Sequence, residues 1–147
     1  MTAPLRDSDP RFDVGATIPP RRVPLSLQRL VMEAGVNRDF APIHHDMDVA
    51  RTGGAPGAFT NYVFLQSVAE FTVREWAGLD ARIERIALRL GGFNPVGSIL
   101  ECSGTVASAV SDAASRLVTV TIRIQADDRI TTTGECEVRF PIDSEAR

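Results

Sequence analysis

The sequence predicts an α+β fold in which an antiparallel sheet wraps around one long central helix. Two patterns point there: a set of alternating apolar runs in the C-terminal half, and a single oily helical segment before them. A third observation sets the scale. The chain has 147 residues, 44% of them hydrophobic and 24% charged, enough to bury one core without disulfide staples.

The strands come from period-two alternation, because successive strand side chains point to opposite faces. Ile86, Leu88 and Leu90 oppose Arg85, Ala87 and Arg89. Leu100, Cys102, Gly104 and Val106 alternate with Glu101, Ser103 and Thr105. Val118, Val120, Ile122 and Ile124 form a third run, and Ile130 to Phe140 a fourth. The separators Gly91–Pro95, Ser111–Ala114 and Asp127-Asp128 suit antiparallel connections. A fifth strand is expected at Val14–Ile18, ended by Pro19-Pro20.

The segment Gly57–Trp76 reads as the helix. Its polar stripe is narrow (Gln66, Ser67, Glu70, Arg74), and most of its circumference is apolar. Pro56 before it and Gly78 after it fit the usual start and stop residues. A helix this apolar must be wrapped on several sides, with Phe71 and Trp76 in the core. Together with the strands, that is the hot-dog arrangement, and it leaves a sheet face or edge for a second subunit. Residues 1–11 read as a flexible N-terminal leader and 12–147 as one domain.

Composition removes several function classes. The formal net charge is −3 and the pI near 5.4, against phosphate-driven nucleic-acid binding. All basic residues are arginine, which excludes lysine chemistry. No apolar run approaches a bilayer span, and no signal peptide is apparent. Cys102 and Cys136 lie on apolar strand faces, as core thiols do, so a reduced, cytoplasmic compartment is the default.

The densest titratable cluster is Arg38–Asp48, holding both histidines. It follows a short helix expected from Leu27 to about Gly35 and precedes a helical turn starting near Asp46 or Asp48. Pro42 stiffens the bend between Asp39 and His44. Such a loop can aim a carboxylate and an imidazole at one cavity, with a water held between them. Asp46 and Asp48 suit helix N-terminal positions, and a metal site has no second ligand cluster to complete it. Gly53-Gly54-Ala55-Pro56-Gly57, just before the long helix, offers close backbone approach beside free helix N–H groups.

Asp39-Phe40-Ala41-Pro42-Ile43-His44-His45-Asp46 resembles the D-x-N-P-(I/L)-H-x-D signature of the MaoC-like (R)-specific enoyl-CoA hydratases and dehydratases. Ala50-Arg51, Gly53-Gly54, Pro56-Gly57, Gly97, Ser103–Val106 and Gly134–Val138 continue the likeness over roughly residues 12–140. It looks nearest to the small subunit of actinobacterial steroid side-chain enoyl-CoA hydratases. The resemblance implies a lyase that adds water reversibly to a trans-2-enoyl-CoA without a cofactor or metal. Asp39 would be the base, and His44 would hold the water and take part in proton transfer to the α-carbon. Gly57, Asn61 and Tyr62 would bind substrate and the thioester oxygen, Tyr62 through its backbone N–H. The expected partners are an acyl-CoA substrate and either a second copy or a second MaoC-like chain. Two departures stand out: Ala41 replaces the signature's Asn, and Asn61-Tyr62 replaces a usual His-Gly. The rivals are a hot-dog acyl-CoA thioesterase using Glu70 or Glu75, and a non-catalytic assembly subunit. Arg38, Arg51, Arg85 and Arg89 are either CoA-phosphate contacts or ordinary surface charges.

Overall fold

The computed structural model describes residues 9–142. Of the expected leader, residues 1–8 lie outside the described residues. The remainder is ordered by Asp9, whose carboxylate accepts the Arg11 N–H and starts a 3-10 turn over Pro10–Phe12. Phe12 enters the core beside Phe140, with ring centroids 4.7 Å apart, and the Arg11 guanidinium stacks on the Phe12 ring at 4.6 Å.

Five strands form one antiparallel sheet: β1 (Thr17–Pro24), β2 (Arg82–Leu90), β3 (Ile99–Ser111), β4 (Ser115–Ala126) and β5 (Arg129–Pro141). Their order is β1-β3-β4-β5-β2, so the predicted connections at Ser111–Ala114 and Asp127-Asp128 do join antiparallel neighbours. The one at Gly91–Pro95 does not: β2 pairs with β5, and the chain crosses over between β2 and β3. Along β3 and β4 and the later part of β5 the inner face is the predicted one, with Leu100, Cys102, Val106, Val118, Val120, Ile124, Cys136 and Val138 all buried. At the two ends it is not: Leu90 of β2 and Ile130 of β5 are half exposed, and Thr131 and Thr132 are both buried where the β4–β5 register slips after Ile124. Burial pushes the Cys102 thiol up to about 11 and the Cys136 thiol up to about 12, so both are inert core groups.

The first strand differs from expectation. It does not stop at Pro19-Pro20 but runs through them to Pro24. The register with β3 slips between Ile18 and Arg21, which takes both prolines out of the ladder. An edge strand tolerates this, because a proline there need not donate.

Helix α1 (Leu27–Asn37) is capped by the Ser26 hydroxyl, and α2 (Met47–Thr52) by the Asp46 carboxylate. The central helix α3 spans Tyr62–Ala77, about 24 Å at 1.5 Å per residue. It starts five residues later than the predicted Gly57. Residues 57–61 instead form a non-helical strut that bends at Gly57-Ala58; in it Phe59 bridges to Pro95, and Asn61 caps the helix by accepting the Phe64 N–H at 2.9 Å. The stop is as predicted, at Gly78, whose φ of +88° favours glycine.

Leu65, Val68, Ala69, Thr72, Val73 and Ala77 of α3 are buried under the sheet. One strip stays open: Val63 and Phe71 are about half exposed. Phe71 is therefore not core, and carries the Arg21 guanidinium over its ring at 4.1 Å. Trp76 packs against the core as expected, edge-on to Phe140.

Candidate active site

The site is assembled where the polar loop after α1 meets the start of α3. Arg38 ends α1 in the left-handed conformation, φ 55°, which turns the chain so that the Asp39 N–H still bonds the Ala34 carbonyl at 2.9 Å. Asp39 Oδ1 accepts the Ala41 N–H at 3.4 Å. Pro42 then opens a 3-10 turn over Pro42–His44, and that turn carries the imidazole inward.

His44 is buried, its side chain only 7% exposed, whereas that of Asp39 is 36% exposed. The two touch, with His44 Nε2 3.2 Å from Asp39 Oδ2. On its other edge, His44 Nδ1 lies 2.8 Å from the Phe59 carbonyl oxygen. A carbonyl can only accept, so Nδ1 carries the hydrogen and Nε2 is the nitrogen turned to Asp39. Two lone pairs facing each other would repel, so the contact is stable with a proton on the Nε2–Oδ2 line. A water cannot fit between groups this close; one bound by both must sit astride the pair.

The other candidates take their places around this contact. Gly57 is buried in the strut, where an added Cβ would fall 2.8 Å from Met47 Cε. Asn61 is buried and its side-chain oxygen is engaged as a cap, accepting from Phe64 N–H and from Asn37 Nδ2. Tyr62 stands at the first helical position with its side chain exposed, where the backbone N–H has no acceptor within the helix. Thr60 Oγ1 and Asn61 Nδ2 are buried with no partner among the described residues. Such orphans are costly in a core.

His45 is exposed. Asp46 accepts the Asp48 and Val49 N–H groups, which holds its carboxyl below the usual range. Asp48 pairs with Arg51 at 3.3 Å and Arg85 with Glu137 at 3.3 Å. Both thioesterase candidates are occupied: Glu70 pairs with Arg74 at 3.0 Å and Glu75 with Arg21.

Two residues at the site escape a reading of the sequence. Phe59 acts through its carbonyl, which no side-chain pattern reveals. Glu33 is buried, with one carboxylate oxygen 3.2 Å from the Asn61 N–H and the other 3.2 Å from Asn37 Nδ2. Burial raises its pKa above the usual carboxylate value, against those bonds and the nearby His44. A signal did exist: Glu33 lies on the same helical face as Leu30 and Ala34, where an apolar residue is expected.

Two hollows lie beside the pair's neighbours Phe59 and Glu33, and neither is lined by Asp39 or His44 themselves. A cleft of about 360 Å³ runs past Phe59, Thr60, Leu90 and Phe93. A groove of about 550 Å³ between α1 and α3 is lined by Met32, Glu33, Val36, Asn37 and Phe64. A larger depression lies on the sheet, walled by strand residues alone and away from the histidine.

Comparison with known proteins decides the family. No family model matches the sequence. The chain is 34% identical over 128 residues to the 3-oxo-4,17-pregnadiene-20-carboxyl-CoA hydratase beta subunit of Mycobacterium tuberculosis, covering 86% of this chain and 96% of that one. The chain belongs to the MaoC-like hydratase family. The crystal structure of the ChsH1–ChsH2 complex from M. tuberculosis contains a chain 31% identical, with a TM-score of 0.79, covering 86% of this chain and 97% of that one. The (R)-hydratase from A. caviae involved in PHA biosynthesis has the same fold at 20% identity, TM-score 0.80, over 90% of this chain and 100% of that one. Within this MaoC-like frame, Ala41 keeps one function of the loop without a polar side chain, because its N–H still braces Asp39.

Proposed function

We propose that this chain is the hydratase subunit of an enoyl-CoA hydratase, with Asp39 and His44 as its catalytic residues. The observation that carries the reading is their direct contact, with the imidazole oriented by the Phe59 carbonyl. In the hydration direction, Asp39 takes a proton from water as its oxygen bonds to the β-carbon. Charge moves to the thioester oxygen, for which the Tyr62 N–H is the nearby helix-end donor. The α-carbon then takes a proton from His44 Nε2. The base has gained a proton and the acid has lost one, so transfer across the Asp39–His44 contact restores both. Water is consumed, one C–O and one C–H bond form, and no cofactor is needed.

The substrate class follows the relative's name: a bulky, steroid-like CoA thioester. The open strip of α3 at Val63 and Phe71 and the sheet edges β1 and β2 support a second MaoC-like chain as partner. No helix among the described residues is long and apolar enough to cross a membrane, and a cytoplasmic location is part of the proposal because CoA thioesters are made and used there.

The test is a paired assay of the protein, alone and with a co-expressed MaoC-like chain, on enoyl-CoA thioesters. Loss of the conjugated double bond without release of CoA thiol is the expected result. Thiol release would indicate a thioesterase, and neither signal in any pairing would indicate an assembly subunit.

A further inference from the structure

Glu33 is the second carboxylate of the site, and it is not among the residues to which the hydration chemistry above gives a role. It faces the groove between α1 and α3 but is 7% exposed. Its two oxygens are divided between elements. Oε1 accepts the backbone N–H of Asn61, the residue that caps α3, and Oε2 accepts from Asn37 at the end of α1. Asn37 also donates to Asn61 Oδ1 at 3.3 Å. Three side chains thus close a ring joining the end of α1, which delivers Asp39, to the start of α3, which presents the Tyr62 N–H.

We propose, resting on the hydratase reading, that Glu33 is a positioning residue that fixes the carboxylate–imidazole pair against the α3 N-terminus and biases the pair's protonation through its charge. An apolar residue would fill the same space, so packing does not require a carboxylate here. Desolvating one is costly, and the site keeps it where it acts on reacting groups. The groups acting electrostatically on Glu33 are His44, from the 3-10 turn, and Asp39, from the loop. Arg29, one turn earlier on α1, lines the same groove; from the α3 side come neutral groups, Phe64 and Ser67 in the groove and the capping Asn61. An anion at this place favours a protonated imidazole and disfavours a second carboxylate charge.

Charge and geometry separate experimentally. Glu33→Gln keeps an acceptor for the Asn61 N–H but removes the charge and the second acceptor. We expect kcat to fall about tenfold with KM little changed, and both limbs of the kcat/KM pH profile to move to lower pH. A merely structural role would lower the amount of folded enzyme and leave both limbs in place. Glu33→Asp, which keeps the charge on a shorter stem, should restore the limbs while kcat stays low. If Glu33→Gln does not fold, Glu33→Met decides: it fills the same space without a charge, and must lower kcat and move both limbs the same way. Unmoved limbs in Glu33→Gln, or in Glu33→Met where that variant stands in, overturn the inference. The parallel Asp39→Asn variant keeps the two claims apart. A wild type that hydrates, an inactive Asp39→Asn and unmoved limbs sink the inference alone. A wild type without hydratase activity, or an Asp39→Asn as fast as it, sinks the function and the inference together.

Discussion

Asp39→Asn isolates the chemistry from the fold. Asparagine has the same shape and keeps an oxygen for the Ala41 N–H, 3.4 Å away in the wild type, so the loop should hold its bend. The electrostatic loss can be bracketed. Two unit charges 3.2 Å apart interact by about 5 kcal/mol at an effective dielectric of 20 and about 1.3 kcal/mol at 80. The Asp39 side chain is 36% exposed, so the screened end of that range applies, and desolvation of His44 offsets part of it. Stability should therefore fall by only about 1 kcal/mol, a shift of roughly 2–4 °C in Tm for a chain of this size. Catalysis loses far more. A positioned general base contributes about 10²–10⁴-fold, or roughly 2.7–5.4 kcal/mol of barrier. Stopped-flow or steady-state loss of enoyl-thioester absorbance, read beside a thermal melt, measures both. The expected outcome is kcat down at least about 10²-fold with Tm nearly kept. A rate within about threefold of wild type would refute Asp39 as the base.

Other perturbations test the frame around the site. Gly134→Ala should destabilise by about 1–3 kcal/mol, because the new Cβ would fall 2.1 Å from the Ala87 carbonyl oxygen and force β5 from β2; an unchanged urea midpoint would contradict the packing. Asn61→Ala removes the α3 cap and should cost about 1 kcal/mol or more in chemical denaturation, with the rate falling as the helix end frays. Asp46 and Asp112 each accept two backbone N–H groups, which lowers their pKa values below the ordinary 3.8. Their folded values lie beneath the unfolded ones, so their stabilisation is complete above about pH 4 and lost as pH falls through the folded values. The double variant Asp46→Asn/Asp112→Asn should accordingly show a flatter loss of Tm between about pH 5 and pH 2, and a wild-type slope would show that these caps contribute nothing to acid lability.

The strands were legible because one face of each is buried and the other is wet, so period-two alternation survives in Leu100–Val106, Val118–Ile124 and Thr132–Phe140. It fails at Ile130 and Thr131, where a register slip that the sequence does not reveal turns the isoleucine outward and the threonine inward. The central helix was legible as an oily run, but its start was not. Between Gly57 and Asn61, Ala58 and Phe59 serve a non-helical strut held by the Phe59–Pro95 bridge, and local composition does not distinguish that from a first helical turn. Pro19-Pro20 misled for a related reason: a proline ends a strand only if its neighbour needs an N–H, and at a slipped edge register none does. In the site, Asp39, His44 and Asp46 were readable from residue type and the proline-stiffened spacing. The Phe59 carbonyl and the Glu33–Asn37–Asn61 ring were not, since both depend on contacts between segments 15 to 28 positions apart.

The burial asymmetry within the pair explains why the loop must be this rigid. His44 is enclosed, with Nδ1 tied to Phe59 and Phe59's own ring packed against Phe93 at 4.8 Å. Its orientation is therefore set by α3's strut and by the connection after β2, not by the loop that carries it in sequence. Asp39 is about one-third exposed and takes its position from the end of α1 through the Asp39 N–H to Ala34 bond. The two reacting groups belong to different parts of the fold, separated in sequence by only Phe40–Ile43. Free rotation in those four residues would let each part drift without disturbing the core, and the 3.2 Å contact would be lost. Pro42 with its 3-10 turn removes that freedom. The short signature is thus a spacer of fixed length between two independently anchored groups, which is why residue type can vary at Ala41 while the bend itself cannot.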